Sequence, residues 1–197
     1  AVTCDDFAQA IADANPNSEL ARLLEPFKRW YSQAGTPRVS ATGQYDAAQR
    51  RYTLTLSQTC APTPGQADKA PMVIPVTVGL LSPDGQAWPV QRTGHQAQTQ
   101  TTLVLTQASE SFVFENLDAA PVASLLRGFS APVLLQSELS DAERLTLLAH
   151  DSDAFNRWEA GQQLMLSQAL RTVRSDAPIS ATPIDAATMD ALRAVLR

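Results

Sequence analysis

Arg51-Tyr52-Thr53-Leu54-Thr55-Leu56-Ser57 sends Tyr52, Leu54 and Leu56 to one side and Thr53, Thr55 and Ser57 to the other. A period of two with one apolar and one wettable face is the pattern of a half-buried strand. Ile74, Val76, Val78 and Leu80 repeat it. Shorter runs follow around Trp88–Val90, at Leu103 and Leu105, and at Phe112 and Phe114, and Phe129 with Val133–Leu135 completes the set. Pro83-Asp84-Gly85 reads as a tight turn, because proline presets one dihedral and glycine permits a positive one. Short strands with little helix between them predict a β-sandwich of about seven strands. Cys60–Pro71 (CAPTPGQADKAP) reads as an exposed, proline-rich connection between two of them.

On both sides of this block the period lengthens to about 3.6. Thr3 before Asp5 and Asp6 is a helix-capping pattern, Phe7 and Ile11 share a face, and Asn15-Pro16 is a stop. Leu20, Leu23, Leu24, Phe27 and Trp30 or Tyr31 form a second helical run, which Pro26 should break in two. Gly35 and Thr36-Pro37 close it. Helix returns at Ser140, where Ser140 and Glu143 make a capping box ahead of Leu145 and Leu148. Asp153 should cap the next helix, with Phe155, Trp158, Met165 or Leu166, Ala169 and Val173 as its apolar stripe. Asp176–Pro183 reads as a loop. A last helix from Ile184–Asp185 carries Met189, Leu192, Val195 and Leu196 and stops at Arg197 without a cap, the mark of a truncated piece. The expected class is α+β: an immunoglobulin-like antiparallel β-sandwich over 35–137, flanked by a helical segment over 1–34 and an α-helical segment over 138–197.

The 197 residues carry 15 Lys and Arg against 20 Asp and Glu, a net charge of −5, with no basic run to meet phosphates. Nucleic acid is excluded as a partner on that ground. The longest apolar stretches, such as Leu145–Ala149, fall far short of the ~20 residues of a membrane span. Cys4 and Cys60 form no CxxC pair and read as free, mostly buried thiols.

Candidate chemistry is sparse. The two histidines, His95 and His150, lie in different blocks and outside any HExxH pattern, so they suit neither a zinc site nor a catalytic base. His150 reads as a capping or hydrogen-bonding residue and His95 as exposed. Asp5/Asp6, Asp141/Glu143 and Asp151/Asp153 all stand at helix starts, where the dipole favours negative charge. Trp30, Tyr31 and Trp158 read as interface packing. There is no GxSxG elbow, Walker loop or GxGxxG turn.

Four segments together, RWYSQAGTP (Arg29–Pro37), SFVFENL (Ser111–Leu117), FSAPVLL (Phe129–Leu135) and HDSDAFNRWEAGQQL (His150–Leu164), resemble bacterial aminopeptidase N, the alanyl aminopeptidases of the zinc gluzincin class. The resemblance implies the tail of a catalytic domain over 1–34, the whole sandwich, and the first helices of a helical C-terminal domain. It implies a longer cytoplasmic enzyme that uses zinc to release N-terminal residues from peptides. That family's HExxH motif, downstream glutamate ligand and GAMEN-type motif do not occur here, and Tyr31, Tyr45 and Tyr52 match no catalytic tyrosine. No catalytic, cofactor-binding or metal residue is therefore expected in this chain. Its expected role is that of a non-catalytic spacer, partnered by the other domains of the same polypeptide, with Phe155 and Trp158 fixing the first helices against the sandwich. A free-standing immunoglobulin-like module binding a protein or glycan is the alternative.

Overall fold

The computed structural model describes residues 1–174, 184 and 186–195. The loop expected over 176–183, and the end of the last helix at 196–197, lie outside the described residues. Two four-stranded sheets form the centre. One has the order β6-β2-β1-β8, from β1 (Arg38–Asp46), β2 (Arg51–Thr59), β6 (Ser109–Phe114) and β8 (Leu134–Ser137). The other is built on β3 (Ile74–Leu81), which pairs with β4 (Ala87–Trp88), β5 (Thr101–Leu105) and β7 (Val122–Leu125). The inward rows meet in one core: Leu54, Leu56 and Phe114 from the first sheet, Ile74, Val76, Val78, Leu103 and Leu105 from the second. The alternation at Arg51–Ser57 is thus what the strand buries. Tyr52 closes the core, and its burial pushes the phenol up to about 12.

Periodicity missed β1 and β7 and misplaced Phe129. β1 buries only Val39 and Ala41, and opposite its end the Tyr52 ring lies over Gly43, where an added Cβ would fall 2.0 Å from the phenol oxygen. That half of the strand offers only Tyr45 to the core, too little for an alternating pattern. β7 is buried on both faces, so it does not alternate. Phe129 belongs to a 3-10 turn, Arg127–Phe129, and is 67% exposed. β8 runs parallel to β1, the one departure from an antiparallel arrangement among the described pairs.

At the N-terminus α1 (Cys4–Ala14) carries the expected cap: Thr3 accepts from the Asp6 N–H while Asp6 accepts from Thr3 N–H at 2.8 Å. The buried face is Ala8 and Ala12 rather than Phe7 and Ile11, because only small side chains let Leu24 approach. Cys4 is exposed, contrary to expectation, and Cys60 is half-buried; both are free. The second run divides into α2 (Glu19–Arg22), α3 (Leu24–Phe27) and α4 (Arg29–Ser32). The breaks fall at Leu23 and Lys28, and Pro26 sits inside α3, in the first turn, where a backbone N–H has no helical partner to lose.

The Cys60–Pro71 connection is not loose. Lys69 Nζ donates to Ala34 O, Thr63 Oγ1 and Gln66 Oε1, Gln66 Nε2 donates to Ser32 O, and Gln33 Nε2 donates to Ala70 O. Trp30 Nε1 donates to Val73 O at 2.8 Å while its ring packs on the sandwich core. This loop straps the N-terminal helices to the sheets.

Candidate functional site

The second apolar cluster of the molecule lies between the sandwich and α5 (Asp141–His150), α6 (Ala154–Arg174) and α7 (Ala186–Val195). Its origin is the end of β3, where burial stops alternating and every residue from Val78 to Leu81 is covered. Val78 and Leu80 face the sandwich core. Gly79 and Leu81 face the other way, and their register partners Ser124 and Val122 on β7 share that face. Leu81 and Val122 pack with Leu147, Leu148, Ala160, Leu164 and Ala191. Gly161 is small for a reason: a Cβ there would meet Leu148 at 3.3 Å.

A polar cluster crosses the same boundary. Arg127 lies over Gly79 so closely that a Cβ there would fall 2.0 Å from its Nη1. Its Nη2 stands 3.5 Å from Asp151 Oδ1, with side-chain exposures of 12% and 0%, and donates to Ser152 Oγ. Gly128 N–H donates to Asp153 Oδ2 at 2.9 Å, and Asn156 Nδ2 donates to Ser124 Oγ and Leu125 O. To aim Arg127 inward, the turn holds Leu126 and Phe129 at φ 56° and 54°, a left-handed conformation unfavourable for side chains of that size. Asp151 Oδ2 and Arg127 Nε are buried with no hydrogen-bond partner among the described residues.

Asp153 is the helix cap foreseen, accepting from Asn156 N–H at 3.0 Å. Burial works to raise its carboxyl, yet the N–H groups of Asn156, Gly128 and Phe155 and the charge of Arg127 together hold it below the usual carboxylate range. Asp151 is not a cap for α6; it is the buried partner of Arg127. Ser140 and Glu143 make the expected capping box on α5. His150 ends α5 with its ring against Gly85, while His95 is exposed in the loop between β4 and β5.

The stripe expected to pack α6 faces outward. Phe155, Trp158, Met165, Leu166 and Val173 are all exposed, Trp158 at 54%. Phe155 packs at a tilt against Phe129, 4.1 Å between ring centres, and Trp158 against Phe155 at 5.4 Å, an aromatic row on the surface of the joint. Trp158 therefore does not fix the helix to the sandwich; Ala160 and Leu164 share a cluster with Leu81 and Val122, and Gly161 packs on Leu148 of α5. The reason is steric: α5 and α6 pack close, and close packing selects small residues. The failure of alternation at Val78–Leu81 was the available signal for this site, since a strand covered on both faces has lost its polar row.

A zinc ion needs His, Cys or carboxylate ligands that converge. Among the described residues no three His, Cys, Asp or Glu side chains gather in that way, so the donor set does not fit zinc.

Residues 35–138 match the family described as a domain of unknown function (DUF3458) with an Ig-like fold. The chain belongs to this DUF3458 family. Residues 141–197 match its companion, DUF3458_C, described as ARM repeats. The DUF3458 chain is 41% identical over 199 residues to Aminopeptidase N of Escherichia coli (strain K12), covering all of this chain and 22% of that protein. It is 35% identical over 173 residues to Aminopeptidase N of Haemophilus influenzae, covering 88% and 19%. With Aminopeptidase N of Caulobacter vibrioides the identity is 42% over 164 residues, covering 83% and 17%. The crystal structure of Legionella pneumophila aminopeptidase A in complex with aspartic acid superposes at a TM-score of 0.76 with 26% identity, over all of this chain and 20% of that one. This DUF3458 chain spans about a fifth of the length of the aminopeptidases it matches. No helix among the described residues is long and apolar enough to cross a membrane.

Proposed function

We propose that this chain is a non-catalytic joint within a longer, cytoplasmic, zinc-dependent aminopeptidase that releases N-terminal residues from peptides. Residues 1–34 would close the catalytic domain, 35–137 form the spacer, and 138–197 begin a helical domain that the spacer holds over the catalytic cleft. The observation that carries this reading is the boundary itself. An apolar cluster and the buried Arg127–Asp151 pair tie α5 and α6 to β3 and β7. Four of its carboxylates have structural duties: Asp6, Asp153 and Glu143 cap helices and Asp151 neutralises Arg127. Zinc, on this reading, belongs to the longer polypeptide alone. Elemental analysis of the purified chain, combined with an alanyl-substrate assay, is expected to give well under one zinc per chain and no turnover. Stoichiometric zinc with hydrolysis would overturn the assignment.

A further inference from the structure

The two edges of the four-stranded sheet are treated differently. Along β6, Glu115 N–H donates to Gln91 O and Thr93 N–H to Val113 O, so residues 91–93 cover the C-terminal end of that edge. β8 pairs with β1 and with no other strand among the described residues. Leu134 N–H donates to Pro37 O, which fixes the ladder: Leu134 and Gln136 bond towards β1, while Leu135 and Ser137 turn their N–H and C=O groups away from it. Uncovered edges of this kind are templates for an added strand.

That edge borders a cleft of about 700 Å³ between β7 and β8 on one side and α5 and α6 on the other. Leu125, Leu135, Leu147 and Phe155 make it apolar, and Glu159 and Gln163 line it from α6. Every residue of β8 lines it, as happens when a strand presents its edge and not one face. Four residues of strand span roughly 13 Å, which is the length of edge open to an added segment.

We propose that the cleft is filled by β-strand addition: an extended segment of the same longer polypeptide, outside these 197 residues, hydrogen-bonds to Leu135 and Ser137. Its alternate side chains are apolar, facing Leu125 and Leu147, and polar, facing Glu159 and Gln163. This inference rests on the reading of the chain as a joint, since it names what the joint receives. The source is argued from length: the matched aminopeptidases extend over about five times this chain. A second copy is disfavoured because a four-residue edge offers far less than the roughly 800 Å² per partner of a stable dimer.

Hydrogen–deuterium exchange, resolved at residues 133–138, tests this in the 197-residue chain and in the full-length polypeptide. In the chain alone, Leu135 and Ser137 are expected to exchange fast while Leu134 and Gln136 are slow. In the full-length protein all four are expected to be slow, with Leu135 and Ser137 retarded at least about 100-fold. Fast exchange of Leu135 and Ser137 in the full-length protein overturns the proposal. Protection that already appears in the chain alone and grows with its concentration also overturns it, assigning the edge to a second copy. Neither outcome touches zinc content or turnover, so the joint reading stands or falls separately.

Discussion

Asp151→Ala is expected to destabilise the chain by about 3–5 kcal/mol in denaturant melts, because it leaves the Arg127 guanidinium buried without its counter-charge. Gly79→Ala should reach much of the same loss by another route. The new methyl group occupies the space of Arg127 Nη1, and the guanidinium must leave Asp151 to make room. The two effects therefore share one cause and should not add. In an Arg127→Met background both the strain at position 79 and the unpaired cation are gone, so Gly79→Ala should cost well under 1 kcal/mol there, within the range of ordinary surface changes. Full additivity of Gly79→Ala and Arg127→Met would show that the close approach at Gly79 has no bearing on the pair. A buried ion pair is weak evidence for stability as such, and this one leaves Asp151 Oδ2 and Arg127 Nε unpartnered. Its effect is on geometry: it fixes one position of the helices on the β3–β7 face.

Leu164→Ala and Trp158→Ala form the second contrast. Leu164 is 4% exposed within the cluster shared by α5, α6 and the sandwich, and its truncation should cost about 2–5 kcal/mol. Trp158, at 54% exposed, should cost within about 1 kcal/mol despite its size. Thermal or denaturant melts of the two variants decide the matter. Equal losses would mean that the outer aromatic row, and not the small-residue face, holds α6.

Strands with a polar row were legible in the sequence, and those without one were not. Tyr52, Leu54 and Leu56 declared β2 because Thr53, Thr55 and Ser57 stand in water or half in it. β7 escaped because Val122 and Ser124 face helices that no local pattern can announce. The caps at Thr3, Ser140 and Asp153 were readable, since each acts within three residues of itself. Asp151 was not, because its partner lies 24 positions earlier and the pair exists only once β3, the turn at Arg127 and the end of α5 have met. The stripe on α6 misled for a related reason. Apolar periodicity locates a face that avoids water, but it does not say whether this chain or another surface covers it, and the true contact used Ala160 and Gly161, which carry almost no hydropathic signal. The surface row of Phe129, Phe155 and Trp158 stands beside the cleft at β8, consistent with a boundary that meets more protein than these residues supply.

The most direct test of the joint is the separation of its two sides in solution. Spin labels at the exposed positions Ala47 and Gln162, one on the turn between β1 and β2 and one on α6, report it by dipolar spectroscopy after Cys4 and Cys60 are replaced by serine. A single narrow distance that broadens on Asp151→Ala is the predicted result; a broad or multiple distribution in the chain with Asp151 intact would contradict the account.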